Sequence, residues 1–337
     1  MKKSISLIAA LVIFAAVLSA CQGTNTPDDD SKTNSLIAAN SSNLSYTSNM
    51  TDSSQNSTAS FDSQSSATSD TSLPPVTIER FTVFDQNDSI DDDAVRINFD
   101  NDNITIDGEG AKADGTILTI TQAGNYVISG KLTDGQIIVN VTKADKVHLI
   151  LNGTEVASTT TSPLNIISAD KVSLTLVKNT VNKFSDATIY TSDVTTGATA
   201  CIYSKDDLSI NGNGTLIVNG NFNNGIATTN DLKIVSGTIT VRARNNAIKG
   251  KDSISIKNGT ISVTSTDDGI KSDNELETGK GYIYIEGGNI SITSNDDALQ
   301  AFTDVTIKGG TVHVKCGGKP VKCDGTKQIT DGCLTTG

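Results

Sequence analysis

The chain has 337 residues, of which 38 are acidic and 26 basic, giving a formal charge of −12, and only 4% are aromatic, with no tryptophan. That balance argues against nucleic acid as a partner and against docking on anionic lipid through a basic face. The shortage of rings disfavours a broad, flat aromatic platform.

Residues 1–20 read as a secretion signal. Lys2 and Lys3 precede an apolar run from Ile5 to Leu18, shorter than the ~20 residues that a spanning helix needs. Leu18-Ser-Ala-Cys21 resembles the lipobox of bacterial lipoproteins. Cys21 is therefore expected to be acylated, with the protein anchored by lipid on the outer face of the cell membrane; an ordinary signal peptide with a chance cysteine is the alternative. Residues 21–75 are dominated by Ser, Thr, Asn and Asp, which cannot bury enough surface to offset their ordering entropy, so a flexible tether is expected. Pro74-Pro75 ends it. The folded domain is expected over 76–326, with 327–337 as a tail. The acidic run Asp85 to Asp93 lacks the glycine and terminal glutamate of an EF-hand loop and reads as solvated linker.

Strand-like segments begin with Ile104-Thr-Ile-Asp-Gly, Ile117-Leu-Thr-Ile and Tyr126-Val-Ile-Ser-Gly130, a first coil or N-terminal cap. Further on a register emerges: Asp231-Leu-Lys-Ile-Val-Ser-Gly237-Thr, Asp252-Ser-Ile-Ser-Ile-Lys-Asn-Gly259-Thr, Tyr282-Ile-Tyr-Ile-Glu-Gly-Gly288-Asn and Asp304-Val-Thr-Ile-Lys-Gly-Gly310-Thr. A polar corner repeats with it as Asn223-Asn224-Gly-Ile226, Asn245-Asn246-Ala-Ile248, Asp267-Asp268-Gly-Ile270, Asp296-Asp297-Ala-Leu299 and Gly318-Lys319-Pro-Val321. The period is twenty-two residues, broken once by the insertion Ser272 to Gly281. Repeats this short cannot close a sheet alone, so their strands must pair with those of neighbouring repeats. The fold class is all-β: a single-stranded parallel β-helix solenoid with ~22-residue coils, about eight or nine of them, right-handed by the general bias of parallel crossovers. Cys201 falls in the small-residue column of Gly225, Ala247, Gly269 and Ala298, whereas Cys316, Cys323 and Cys333 lie close together. In an exported protein a local disulfide among these three is expected, the pair being left open.

Equivalent residues of adjacent coils lie ~4.8 Å apart, so each column becomes a ladder. Stacked asparagines are explained by amides that satisfy the turn backbone. Stacked carboxylates repel one another unless something positive lies between them. Asp267, Asp268, Asp296 and Asp297, with Asp273 from the insertion, are thus a candidate Ca²⁺ site, because hard oxygen ligands suit that ion. The competing reading pairs them with Lys249, Lys251 and Lys271. Arg242, Arg244, Lys249 and Lys271 form a basic stripe suited to a polyanionic glycan, and Tyr282 and Tyr284, at outward parity, offer a small sugar-stacking patch. His148 and His313 lack acid or nucleophile partners and read as exposed strand residues.

The runs Tyr126-Val-Ile-Ser-Gly130, Leu132-Thr-Asp-Gly-Gln-Ile-Ile-Val139, Ser204-Lys-Asp-Asp-Leu-Ser-Ile-Asn-Gly212 and Asp267-Asp-Gly-Ile-Lys-Ser272 through Gly279-Lys-Gly-Tyr-Ile-Tyr-Ile-Glu-Gly287 resemble a family of bacterial carbohydrate-binding lipoproteins. The resemblance implies a polysaccharide-lyase-like β-helix, calcium at acidic corners carried here by Asp267, Asp268, Asp273, Asp296 and Asp297, and binding of acidic pectic chains or cellulose without catalysis. The chain departs from that pattern at Asn245-Asn246-Ala-Ile248, where an acidic corner is usual, and at Ala298, where glycine is usual. The expected function is calcium-assisted binding of an acidic polysaccharide. Two alternatives remain: a calcium-dependent lyase with Lys249 or Lys271 as base, and a surface stalk or adhesin that binds protein.

Overall fold

The computed structural model describes residues 79–191 and 197–337. The signal segment, Cys21 and the tether 21–75 lie outside the described residues. A strand that alternates aliphatic and polar residues has one face to bury and one to leave wet. Three such strands per coil, each paired in parallel with its counterparts in the coils before and after, make three long faces.

The first face stacks Lys171–Leu176, Asp207–Gly212, Asp231–Ile234, Ser253–Ile256, Tyr282–Ile285, Val305–Ile307 and Lys327–Ile329. The second stacks Val181–Ser185, Thr215–Gly220, Thr238–Ala243, Thr260–Ser265, Asn289–Ser294, Thr311–Cys316 and Leu334–Thr336. The third runs from Gln136–Asn140 and Leu164–Ser168 through Ala200–Ser204, Asn224–Thr228, Ile248–Gly250, Ile270–Ser272 and Leu299–Ala301 to Val321–Lys322. The segment 327–337, expected as a tail, instead supplies two strands of a further coil, because Ile329 and Leu334 continue the inward columns. At the other end two antiparallel hairpins, Val95–Asn101 with Asn103–Asp107 and Ala111–Asp114 with Ile117–Ile120, turn the chain into the first coil.

The core is a set of aliphatic columns. Leu174, Ile210, Ile234, Ile256, Ile285 and Ile307 stand in one line, and Ile202, Ile226, Ile248, Ile270 and Leu299 in another, all at 0% exposure. Each buried aliphatic side chain stabilises the fold by roughly 1.5–3 kcal/mol relative to exposure. One column contains an amide: buried Asn182 accepts from Gly153 N (3.0 Å) and Thr154 N (2.9 Å) and donates to Thr215 O (3.2 Å), so its polarity is satisfied inside. The turn between the first and second faces needs a left-handed residue, and Gly259 supplies it at φ +124°, close under Gly237 O. Cys201 is buried in the small-residue column, as expected. No disulfide joins Cys316, Cys323 and Cys333; all are free, and Cys316 and Cys323 direct their sulfurs at carbonyls of their own turns.

The N-terminal segment departs most from expectation. It does not trail into solvent but crosses the outer side of the first face as a strap. Its four-residue helix Val83–Gln86 starts at Thr82, whose hydroxyl and Asp85 cap each other reciprocally. Asp85 is fully buried beside Lys171 (3.0 Å) and Lys233 (3.4 Å). His148, expected to be exposed, is buried: Phe84 packs edge-on against its ring, and it meets Thr175 Oγ1 at 2.5 Å. Burial lowers its pKa against the pull of Asp91 and Asp88. His313 is exposed.

A second buried carboxyl, Asp186, follows the second-face strand Val181–Ser185. Tyr190 OH donates to it at 2.6 Å and Asn221 N also donates to it, yet burial outweighs these bonds and pushes its pKa up to about 6 from 3.8. Between pH 4 and 6 the folded chain therefore holds a proton that the unfolded chain has released, and stability falls as pH rises through that window. Two outcomes are expected in urea melts. Ile256→Ala lowers unfolding free energy by about 2–5 kcal/mol, whereas Ser262→Ala, on an exposed second-face position, changes it by less than about 0.5 kcal/mol. Asp186→Asn gains on the parent protein by roughly 3 kcal/mol between pH 4 and pH 7; parallel pH profiles would contradict the assignment.

Candidate functional site

The polar corner joins the second face to the third. Its inner column begins as an amide ladder: Asn224 Nδ2 donates to Thr199 O (2.9 Å), and Asn246 Nδ2 donates to Asn224 Oδ1 (3.0 Å). The aspartates continue it, Asp297 N donating to Asp268 Oδ1 (3.1 Å) and Lys319 N to Asp297 Oδ1 (2.8 Å). Asp268 and Asp297 thus repeat the job of the asparagines with one oxygen and carry a charge on the other.

Carboxylate oxygens of Asp267, Asp268 and Asp296 lie within 4.8 Å of one another, with Asp268 buried, Asp267 half-buried and Asp296 exposed. Burial, with Asp268 and then Asp296 nearby, pushes the Asp267 carboxyl up; Lys271 opposes this. Lys271 Nζ lies 2.8 Å from Asp268 Oδ2. Asp297 stands apart from the trio. Burial works to raise its pKa, but Lys322 Nζ at 2.9 Å and the Lys319 amide hold it below the usual carboxylate range. One coil before Asp268, in the same column, Asn246 Oδ1 is buried with no hydrogen-bond partner. That orphan oxygen gave no separate signal in the sequence, where Asn246 reads as one more rung.

Asp273 does not join the cluster. The strand Ile270–Ser272 carries the chain across the third face before the insertion opens, so the insertion folds at the opposite edge. There Asp273 pairs with Lys249 (2.7 Å), and Asn274 and Lys280 both bind Asp252 (2.6 Å each).

The basic residues divide between two faces. Lys249 and Lys271 are neighbours on the third face, in a column continued by Gln300 and Lys322. Arg242 lies on the second face and Arg244 just beyond it, both exposed. These four flank the corner. Tyr282 and Tyr284 do not, since they lie on the first face with the Arg80 guanidinium 5.1 and 4.1 Å over their rings. Phe222, immediately before Asn223, stacks on Tyr190 with centroids 4.1 Å apart. This aromatic pair beside the corner escaped the sequence reading because Tyr190 belongs to a segment outside the repeat.

One cluster of three carboxylates, a cation column and a repeating amide rung make a surface with the chemistry to hold a hard cation and a polyhydroxylated anion. Comparison with known proteins agrees with the carbohydrate part of that description. Residues 114–334 match the model of a family described as carbohydrate-binding domain-containing protein. A protein of that description from Acetivibrio thermocellus is 44% identical over 242 residues, covering 71% of this chain and 85% of the relative. A solved polysaccharide lyase-like protein from C. thermocellum, in a gadolinium derivative, superposes with a TM-score of 0.70 at 43% identity, covering 72% of this chain and 98% of its own. The chain belongs to the carbohydrate-binding domain-containing protein family.

Proposed function

We propose that this protein binds an acidic, polygalacturonate-like polysaccharide without cleaving it, through a calcium-assisted site at the polar corner. In this reading it is displayed on the cell surface from a lipid anchor at Cys21, on a right-handed β-helix of ~22-residue coils. The observation that carries the site is the convergence of Asp267, Asp268 and Asp296 within 4.8 Å. The orphan Asn246 Oδ1 in the preceding coil supports it.

Calcium takes 6–8 oxygens at 2.3–2.6 Å. Asp267, Asp268 and Asp296 would supply three, Asn246 a neutral fourth, and water with a uronate carboxylate the remainder. Lys271, now on Asp268, would be released toward the glycan, with Lys249, Arg242 and Arg244 on either side. Asp273 and Asp297 are not in this ligand set, being committed to Lys249 and Lys322. Membership of a carbohydrate-binding family supports the ligand class. Lys249 and Lys271, the two candidate bases for a lyase, are each engaged by a carboxylate.

Calorimetric titration tests the reading. The protein is expected to bind Ca²⁺ alone, with Asp267→Asn/Asp268→Asn weakening it more than about tenfold and Asn246→Ala to a lesser degree. Affinity should fall on acidification from a higher pH than an ordinary aspartate would set, because Asp267 is raised. Polygalacturonate binding should require Ca²⁺ and be lost in the double variant. Calcium-dependent release of ultraviolet-absorbing unsaturated uronate, abolished by Lys271→Ala, would replace binding with lyase chemistry.

A further inference from the structure

The surface beneath the strap is an unusual thing to cover. A segment that served only to bury apolar area would lie on apolar residues. Here the outward columns of the first face present Ser173, Ser209, Lys233, Ser255 and Tyr284 in one line, with Thr175 and Asn211 beside them. Hydroxyls, an amide, ammonium groups and phenol rings are the side chains that hold a sugar acid.

The strap meets them as such a ligand would. Its Asp85 carboxylate lies between two ammonium groups, Lys171 and Lys233. Its main-chain oxygens at Asp85 and Asn87 accept from Asn211 Nδ2 at 2.9 and 2.8 Å, and Gln86 accepts from Lys257. Arg80 covers the rings of Tyr282 and Tyr284, while Asp91 accepts from Asn125 at 2.6 Å at the other end. The segment thus crosses successive coils, its short helix Val83–Gln86 at the middle. The match is also incomplete: Ser209 Oγ and Ser255 Oγ are buried, at 0% and 1% residue exposure, with no hydrogen-bond partner. Leaving buried hydroxyls unpaired is costly, and a polyhydroxylated ligand would satisfy them.

We propose that the outward side of the first face is a second binding surface, for a carboxylate-bearing glycan, and that the strap Arg80 to Asp91 is an intramolecular occupant that the glycan displaces. The idea takes its ligand class from the proposed function but not its calcium site. Affinity at this face is reduced by the fraction of molecules in which the strap is closed, so strap variants gain affinity where face variants lose it.

The test is titration of the full chain with oligogalacturonate in EDTA, which silences the corner. Asp85→Ala is expected to bind about tenfold or more tightly than the parent protein. Arg80→Ala, which leaves the buried ion pairs intact, should shift the same way, and adding Lys233→Gln to Asp85→Ala should abolish the gain. Asp85→Ala carrying also Asp267→Asn/Asp268→Asn should keep it, which separates this surface from the corner. If Asp85→Ala does not fold, Arg80→Ala decides. Folded strap variants that bind no more tightly than the parent in EDTA would overturn the proposal.

Discussion

Everything in this molecule hangs on the in-register parallel pairing of one coil with the next. Side chains alternate sides along a strand, so a slip of one residue would turn Ile254, Ile256, Ile283 and Ile285 outward and bury Ser253, Ser255, Tyr282 and Tyr284. The aliphatic columns therefore fix the register, and the register places every polar column. Asp268 sits beside Asp297 because Ile270 sits beside Leu299. The acidic corner is a by-product of core packing that chemistry can use.

That corner has two jobs for the same atoms. The inner aspartates accept a backbone amide from the next coil with one oxygen, as Asn224 does for Asn246, and meet a lysine with the other. In the proposed reading a cation would compete with Lys271 for Asp268, and the like charges of Asp267 and Asp296 would favour a divalent ion. The strap repeats the theme on the first face, where Asp85 is buried between two lysines. In both places a buried carboxylate is held by lysines of the chain itself.

Much of this was legible in the sequence because it is periodic. The repeating coil of stacked parallel strands, the inward columns, the small-residue position of Cys201 and the convergence of Asp267, Asp268 and Asp296 all follow from counting; the third strand, beginning at the corner's Ile248 and Ile270, does not. What escaped is aperiodic. The pairing of Asp85 with Lys171 and Lys233 joins residues far apart in sequence, and an acidic run beside a Ser/Thr-rich segment has the composition of solvated linker. The burial of His148 and the covering of Tyr282 and Tyr284 follow from that one omission. Asp273 lies away from the corner because the strand Ile270–Ser272 crosses the third face before the insertion opens, a step that counting from the corner does not reveal. Compartment and proximity in sequence do not fix a disulfide: each sulfur lies in its own turn or core position.

The proposed bridge between corner and uronate is a cation, and the most direct measurement is a crystal structure of the protein soaked with calcium and trigalacturonate. The expected result is an ion coordinated by Asp267, Asp268 and Asp296 at 2.3–2.6 Å, Asn246 Oδ1 among its neighbours, Lys271 withdrawn from Asp268, and a sugar carboxylate on the open side. A corner that keeps the Lys271 to Asp268 pair, with water alone among the three carboxylates at millimolar calcium, would contradict it.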